Sequence, residues 1–247
     1  MELARFFCPM AFEAGQTVAL PSDVTHHIRV RRIRLGEPIT LFDGHGCQAR
    51  ATLQTLESKH SEALISEVQC ISRELDGQLT LIQGLASQDR MDWVMEKAVE
   101  LGIHTLVPTS AARSVVKLDP DRAVKRSKHW EKLVQSASEQ CGRNQLMTVT
   151  PVNTLEAALE SACGKPILLC ALTPDAIKIS DAALLERIAC AGAASLMVGP
   201  EGGWDEREVA KALKANAIPI TLGKTVLRTE TAGLVAAAAL SALLKWG

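Results

Sequence analysis

Two glycine-bearing stretches near the C-terminal end carry the residue types that build a ligand site from backbone. The first is Gly199-Pro200-Glu201-Gly202-Gly203-Trp204. The second runs Leu222-Gly223-Lys224-Thr225-Val226-Leu227-Arg228-Thr229-Glu230-Thr231. Glycine lets the main chain approach a ligand closely and adopt positive φ. Neither stretch reads as G-x-G-x-x-G or G-x-x-x-x-G-K-[ST], so the dinucleotide and nucleotide-triphosphate fingerprints are missing. Taken singly, either is an ordinary tight turn. Together they end different apolar strands and lead towards helices, and open α/β sheets gather ligands at strand carboxyl ends. The residues predict a backbone-lined pocket for a polar, partly aromatic small molecule, and they do not name it.

Charged residues supply the remaining candidates. Arg228-Thr229-Glu230-Thr231 precedes an apolar run and reads as a capped helix start. In Ser138-Glu139-Gln140-Cys141-Gly142-Arg143-Asn144-Gln145, Gly142 is placed to end a long helix and Arg143 to meet its last carbonyls. The functional alternative makes Glu139, Gln140, Arg143 and Asn144 a polar rim on a cleft. Basic residues concentrate in His26-His27-Ile28-Arg29-Val30-Arg31-Arg32-Ile33-Arg34 and again in Lys125-Arg126-Ser127-Lys128-His129, with Arg113 and Lys117 nearby. Each patch is a solvated helix face or a phosphate contact.

Composition limits the classes. A formal net charge of −1 gives no global attraction to nucleic acid, so RNA contact has to be local. Tyrosine is absent and aromatics are 3%, so base stacking cannot be spread over the surface. No run of eighteen apolar residues occurs, and the N-terminus lacks the apolar core of a signal peptide, so a cytoplasmic protein without membrane contact is expected. The seven cysteines lack a C-x-x-C pair. Buried reduced thiols are therefore expected, with neither a disulfide framework nor a zinc site. Cys8 and Cys141 are the thiols considered as nucleophiles, Cys8 being expected to be packed. The histidines show no metal-ligand spacing, and no metal is assigned.

The elements that must position these residues fall into two groups. Residues 1–74 read as short strands (17–20, 38–42, 47–56 and 63–71) with one helix over 22–32, Ser22 as its N-cap. The run Glu74-Leu75-Asp76-Gly77-Gln78 reads as a hinge. Residues 75–247 alternate strands (79–83, 103–108, 167–172, 195–198, 218–222) with helices (89–101, 120–141, 155–162, 182–190, 206–216). A closing helix over 231–246 is apolar nearly all round, so both its faces should be covered. Such alternation predicts an α/β fold with a parallel sheet.

At these residues the chain closely resembles the SPOUT methyltransferases, specifically the RsmE-type 16S ribosomal RNA uridine-N3 methyltransferases. The resemblance rests on Arg5-Phe6-Phe7, on His27 with Val30 and Arg31, on Arg34-Leu35-Gly36 and on Leu41-Phe42-Asp43-Gly44. It continues through Glu96 to Gly102 and Glu139 to Arg143, and ends in the two glycine stretches. After Arg143 the family usually has Val-Pro, where this chain has Leu146-Met147. The resemblance implies a PUA-like β-barrel domain for RNA over 1–74, followed over 75–247 by a SPOUT domain whose C-terminal chain forms a trefoil knot. Periodicity alone would have given an ordinary open sheet.

The resemblance also implies S-adenosylmethionine in a slot lined by Leu172, Gly199, Glu201, Gly202, Leu222, Gly223 and Leu227. It implies a homodimer meeting at the knot and a substrate that is 16S rRNA or the small ribosomal subunit. On that reading Arg143 and Arg228 act on charge or phosphate, and Glu139 or Glu230 takes the N3 proton. Arg5, His27, Arg31, Arg34 and Arg113 contact RNA. Two alternatives stand beside it: another SPOUT reaction such as ribose 2′-O methylation, and a non-catalytic rRNA-binding assembly factor.

Overall fold

The computed structural model describes residues 3–171 and 173–247. The chain divides into two compact units, Met1–Glu74 with Gln135–Leu146, and Leu75–Val134 with Met147–Gly247.

The first unit contains β1 (Arg5–Phe7), β2 (Thr17–Ala19), α1 (Ser22–Val30), β3 (Pro38–Phe42), β4 (Cys47–Leu56) and β5 (Ser61–Cys70). Its sheet has the order β1-β3-β4-β5-β2, with β1 parallel to β3 and every other pair antiparallel. Alternation along β4 and β5 sends Ala49, Ala51, Leu53, Ala63 and Ile65 into a core completed by Ile28 of α1. Three expectations are corrected here. Strand β1 was not foreseen, because three residues show no period and only register with β3 defines it. Helix α1 ends at Val30, and its N-cap is Pro21 with no side-chain bond, not Ser22.

The cysteines are the third correction. Cys47 and Cys70 form a disulfide. They lie 23 residues apart in sequence, yet they face each other across the β4–β5 ladder with Cα atoms 4.0 Å apart. Of the free thiols Cys8 is buried, Cys170 is half-buried, and Cys141, Cys163 and Cys190 are exposed. Burial, with Asp23 and Glu139 nearby, pushes the Cys8 thiol up to about 12, so it remains a protonated core group and no nucleophile.

Segment Gln135–Leu146, carried with the second domain in the sequence reading, clusters with the first unit. Long-range bonds tie it there. The Arg5 guanidinium donates to Asn144 Oδ1 (2.7 Å), Asn144 Nδ2 donates to the Ile71 carbonyl (3.2 Å), and Leu146 N–H donates to the Gly44 carbonyl (3.1 Å). Such bonds leave no periodic trace. Leu146 also packs against Gly44, whose added Cβ would stand 3.2 Å from Leu146 Cγ.

The second unit has a seven-stranded sheet in the order β10-β12-β9-β11-β6-β7-β8. Its strands are β6 (Gln78–Gly84), β7 (Thr105–Thr109), β8 (Thr148–Val149), β9 (Ile167–Cys170), β10 (Ile177–Lys178), β11 (Ala193–Val198) and β12 (Ile218–Thr221). All pairs are parallel, as the strand–helix alternation predicts. The two-residue edge strands β8 and β10 were not foreseen, being too short for a pattern. The helices are α2 (Gln88–Glu100), α3 (Pro120–Cys141, which runs on into the first unit), α4 (Leu155–Ser161), α5 (Ala182–Ala191), α6 (Glu206–Lys214) and α7 (Thr229–Leu244).

Central strand β11 is buried along its whole length, the mark of a strand covered on both faces. Gly233 brings α7 hard against it. An added Cβ there would come 2.8 Å from Leu81 and 3.3 Å from Val198. Helix α7 buries Ala232, Gly233, Ala236, Ala237 and Leu240, while Val235 and Leu243 stay exposed. The single chain therefore covers one face of this helix, not both. No described helix is long and apolar enough to cross a membrane.

Candidate functional site

Strands β12, β9 and β11 are neighbours, and a cavity of about 690 Å³ opens at their carboxyl ends, lined by residues of the second unit. That is where a parallel sheet exposes loop backbone to a ligand, and the volume suits a cofactor-sized molecule. The walls come from the end of β9 (Cys170, Ala171, Thr173), the Val198–Trp204 loop and the Ile220–Ala232 segment. Of the residues expected to hold cofactor, Gly199, Glu201, Leu222, Gly223 and Leu227 line this cavity. Gly202 stands beside it without lining it, and Leu172 lies outside the described residues.

Close backbone packing explains the glycines. A Cβ on Gly199 would meet Trp204 N at 2.9 Å, and one on Gly202 would meet Arg113 Cβ at 2.9 Å. A third glycine, Gly84 at the end of β6, was overlooked. Its Cβ would fall 2.5 Å from Pro200 Cδ and 2.6 Å from Pro200 N. The available signal was a glycine closing a strand, which marks close approach of another backbone.

Two buried side chains tie the loops together. Thr229 Oγ1 donates to the Gly199 carbonyl and accepts from Gln83 Nε2 (2.9 Å), whose amide also donates to the Gly84 carbonyl (3.1 Å). The expected helix cap is thus corrected. The N-cap of α7 is Arg228 without a side-chain bond, and the threonine hydroxyl serves the neighbouring loop instead. Gln83 was missed because nothing in sequence separates a buried glutamine from a solvated one. Glu208 was also missed, although Asp205-Glu206-Arg207-Glu208 spells a capping box. It caps α6 and accepts the Ala112 N–H at 2.8 Å, fixing the loop that carries Arg113.

Arg90 is the unforeseen charged member. It lines the cavity, pairs with Glu201 at 3.0 Å and approaches Glu230 at 3.7 Å, bridging the two glycine stretches. Glu201 also accepts the Ser87 N–H at 2.9 Å. Burial pushes the Glu201 carboxyl up, but the Ser87 and Glu201 backbone N–H groups, the Ser87 hydroxyl and Arg90 outweigh it and hold it below its ordinary value. The stabilisation is fully present above the unfolded-state pKa and is lost as pH falls through the lower folded value. We expect Glu201→Gln to lower Tm at pH 7 and to narrow the gap from wild type in acid. Parallel Tm–pH curves from pH 7 to 3 would contradict this. Burial likewise pushes the Cys170 thiol in the wall up to about 12, leaving it neutral.

The other expected site residues are dispersed. Arg228 and Arg113 are exposed and line the cavity, and Arg113 donates to the Gly202 carbonyl (3.4 Å). Glu230 meets the site through Arg90, and its buried Oε2 has no hydrogen-bond partner. Glu139 and Arg143 belong to the first unit and do not line the cavity. Glu139 accepts the Phe7 N–H (3.1 Å), and burial raises its carboxyl above the ordinary value despite that bond and the charges of His27 and Arg31. Arg143 is 4% exposed and grips Glu74 through Nε and Nη2, so the expected polar-rim role is corrected to an internal brace.

Arg5 is corrected in the same way. It is buried, donates to Gln48 and Asn144, and lies 5.1 Å from the Phe42 ring centroid. His27, Arg31 and Arg34 are exposed at and beyond the end of α1. No metal-binding group of histidine, cysteine or carboxylate side chains occurs among the described residues.

A profile of the RNA methyltransferase domain matches residues 73–241, and one of the RNA methyltransferase PUA domain matches residues 20–66. Ribosomal RNA small subunit methyltransferase E of Bacillus subtilis is 31% identical over 246 residues, covering 97% of this chain and 96% of its own length. The chain belongs to this family. The methyltransferase E of Mycobacterium tuberculosis is 33% identical, covering 96% of this chain and 91% of its own. Among solved structures, the methyltransferase E of Neisseria gonorrhoeae bound to S-adenosyl methionine superposes with a TM-score of 0.92 at 40% identity, covering 98% of each chain. A putative methyltransferase of Legionella pneumophila, in complex with the same cofactor, gives 0.89 at 27% identity and 98% coverage of each. The N-terminal unit is thus a PUA domain, and the parallel-sheet unit carries the methyltransferase fold.

Proposed function

We propose that this chain methylates N3 of a uridine in 16S ribosomal RNA, with S-adenosylmethionine as donor. The observation that carries the reading is the cavity at the carboxyl ends of β12, β9 and β11, in a chain whose relatives over its whole length are small-subunit methyltransferases. The cavity fits the cofactor on its own terms. Val198, Leu222 and Leu227 offer apolar contact, and glycine backbone replaces side chains where a Cβ would collide. Bound there, S-adenosylmethionine supplies a methyl group on positively charged sulfur, which becomes a neutral thioether on transfer.

The chain's own residues have two tasks. N3 must lose its proton as it gains the methyl, and negative charge on uracil O2 and O4 must be held meanwhile. Arg228, at the cavity and unpaired among the described residues, is assigned to the charge. Glu230, held beside the cavity by Arg90, is assigned to the proton. N3 lies on the pairing edge, so the uridine has to be unpaired or turned out of its helix. Arg228→Ala is expected to lower kcat by about 10²- to 10³-fold with cofactor Kd unchanged. Wild-type kcat in both Arg228→Ala and Glu230→Gln would remove these assignments. The reaction itself is tested by nucleoside mass spectrometry of 16S rRNA treated with the purified chain. Appearance of N3-methyluridine supports it, and 2′-O-methyluridine or no product rejects it.

Three further readings belong with this one. The exposed apolar face of α7, with Val235 and Leu243, supports a homodimer, which a monomeric mass in sedimentation equilibrium would reject. The C-terminal chain is threaded into a knot. Pulling on the two ends would then give an unfolded contour shorter than 247 residues allow, and a full-length contour would reject it. A ribosomal RNA substrate supports a cytoplasmic location, testable by cell fractionation.

A further inference from the structure

A second cavity in the methyltransferase unit has no part in the site described above. It encloses about 340 Å³ between the loop after β7 and the first turns of α3, with Gln88 at the start of α2 as its third side. Lys117, Arg122, Lys125, Arg126 and His129 line it, so five of its eight lining residues are basic. A solvated helix face would scatter its charges outward, whereas here they converge on one hollow. The spacing is responsible. Arg122, Lys125, Arg126 and His129 fall on one helical stripe at three- and four-residue intervals, and the loop folds Lys117 over it.

Acidic groups satisfy only part of this charge. Asp119 pairs with Arg122 at 3.3 Å, and Asp92 bonds His129 at 2.9 Å. Asp121 lies in the first turn of α3. Lys117, Lys125 and Arg126 have no ion pair among the described residues. Arg126 Nη1 is buried and has no hydrogen-bond partner, although buried donors are nearly always satisfied. An anion with several acceptor oxygens would complete the set.

The hollow's position names the anion. Lys117 lies four positions beyond Arg113 of the cofactor cavity, a reach of at most about 14 Å. Gln88 likewise follows Ser87, whose N–H holds Glu201 of that cavity. The two cavities thus share both a loop and the first turn of α2. We propose that this basic hollow seats a backbone phosphate of the RNA strand whose uridine enters the cofactor cavity. This rests on the methyltransferase reading. The hollow reads no base; it sets the register of the strand, as phosphate contacts do.

The test compares Lys117→Gln/Lys125→Gln with wild type and with Lys178→Gln/Lys214→Gln, which removes the same charge from exposed positions elsewhere in the unit. RNA binding is measured against salt with a 16S rRNA transcript and with small subunits. Loss of this one phosphate contact should make the log Kd–log salt slope shallower by about 0.7 and raise Kd about fivefold at 0.1 M salt. KM for RNA should rise with kcat and cofactor Kd unchanged, and the control pair should behave as wild type. A wild-type slope and Kd in the Lys117/Lys125 variant, or an equal loss in the control, would overturn the proposal. Those outcomes differ from failure of the methyltransferase reading, in which wild type itself transfers no methyl to either RNA.

Discussion

Gly84→Ala is expected to weaken S-adenosylmethionine binding by at least about tenfold while leaving the fold intact. The backbone of Gly84 needs no special conformation; what matters is the space. The added methyl would lie 2.5 Å from Pro200 Cδ, 2.6 Å from Pro200 N and 3.0 Å from the Gly199 carbonyl carbon. These are backbone or ring atoms without a free rotamer, so the Gly199–Trp204 loop has to lift from the sheet. Overpacking of this kind costs about 1–3 kcal/mol, and here the strain falls on the cavity floor. Lifting also strains the bond from Thr229 to the Gly199 carbonyl, on which the second stretch depends. Calorimetric titration beside far-UV circular dichroism checks both halves of the expectation. A Kd within twofold of wild type would mean that the loop adapts freely.

Arg143→Ala is expected to destabilise the first unit by about 3–5 kcal/mol, because it strands the Glu74 carboxylate, whose side chain is only 10% exposed, without its charge partner. Replacing the pair together, Arg143→Met with Glu74→Leu, should recover most of that loss, since two well-packed apolar groups need no desolvated ions. All four tryptophans (Trp93, Trp130, Trp204 and Trp246) lie in the second unit. Tryptophan fluorescence therefore reports that unit, and hydrogen exchange in β1 to β5 reports the first. Arg143→Ala should speed exchange in those strands at denaturant concentrations where fluorescence is still native. If exchange is unchanged while methylation collapses, Arg143 acts on RNA and not as a brace.

The contrast between Gly199 and Gly84 shows where legibility in the sequence ends. Gly199 stands in a dense run of glycine, proline and glutamate, whereas Gly84 is a single glycine at the end of strand β6. Only the approach of Pro200, more than a hundred residues later, gives it a role. The same holds for charge. Arg228 and Glu230 were visible because they adjoin a glycine stretch, but Arg90 sits on α2 and reaches Glu201 only after the sheet has formed.

Strand and helix placement was read well wherever a period had room to repeat, as in β3, β4 and α3, whose limits coincide with those expected. It failed for β1, β8 and β10, which are two or three residues long. In sequence Arg143 reads as meeting the last carbonyls of α3, and only the family resemblance gives it a role in charge or phosphate. Its partner Glu74 lies 69 residues earlier, in what reads as a hinge. The disulfide escaped for a related reason, since cross-strand register and not cysteine spacing brings Cys47 opposite Cys70.

Segment Gln135–Leu146 makes the first unit, which contains the PUA match, discontinuous in sequence. A chain ended at Glu74 would lack the side chains of Glu139, Arg143 and Asn144 that complete it, and would present a buried arginine and an uncompensated glutamate to water. Cutting and rejoining at the hinge could not move this RNA-binding module to another enzyme, as it could for a bead on a string. The two units therefore have to be inherited and expressed as one piece, and drift in the long helix α3, which serves both, is constrained from both sides at once.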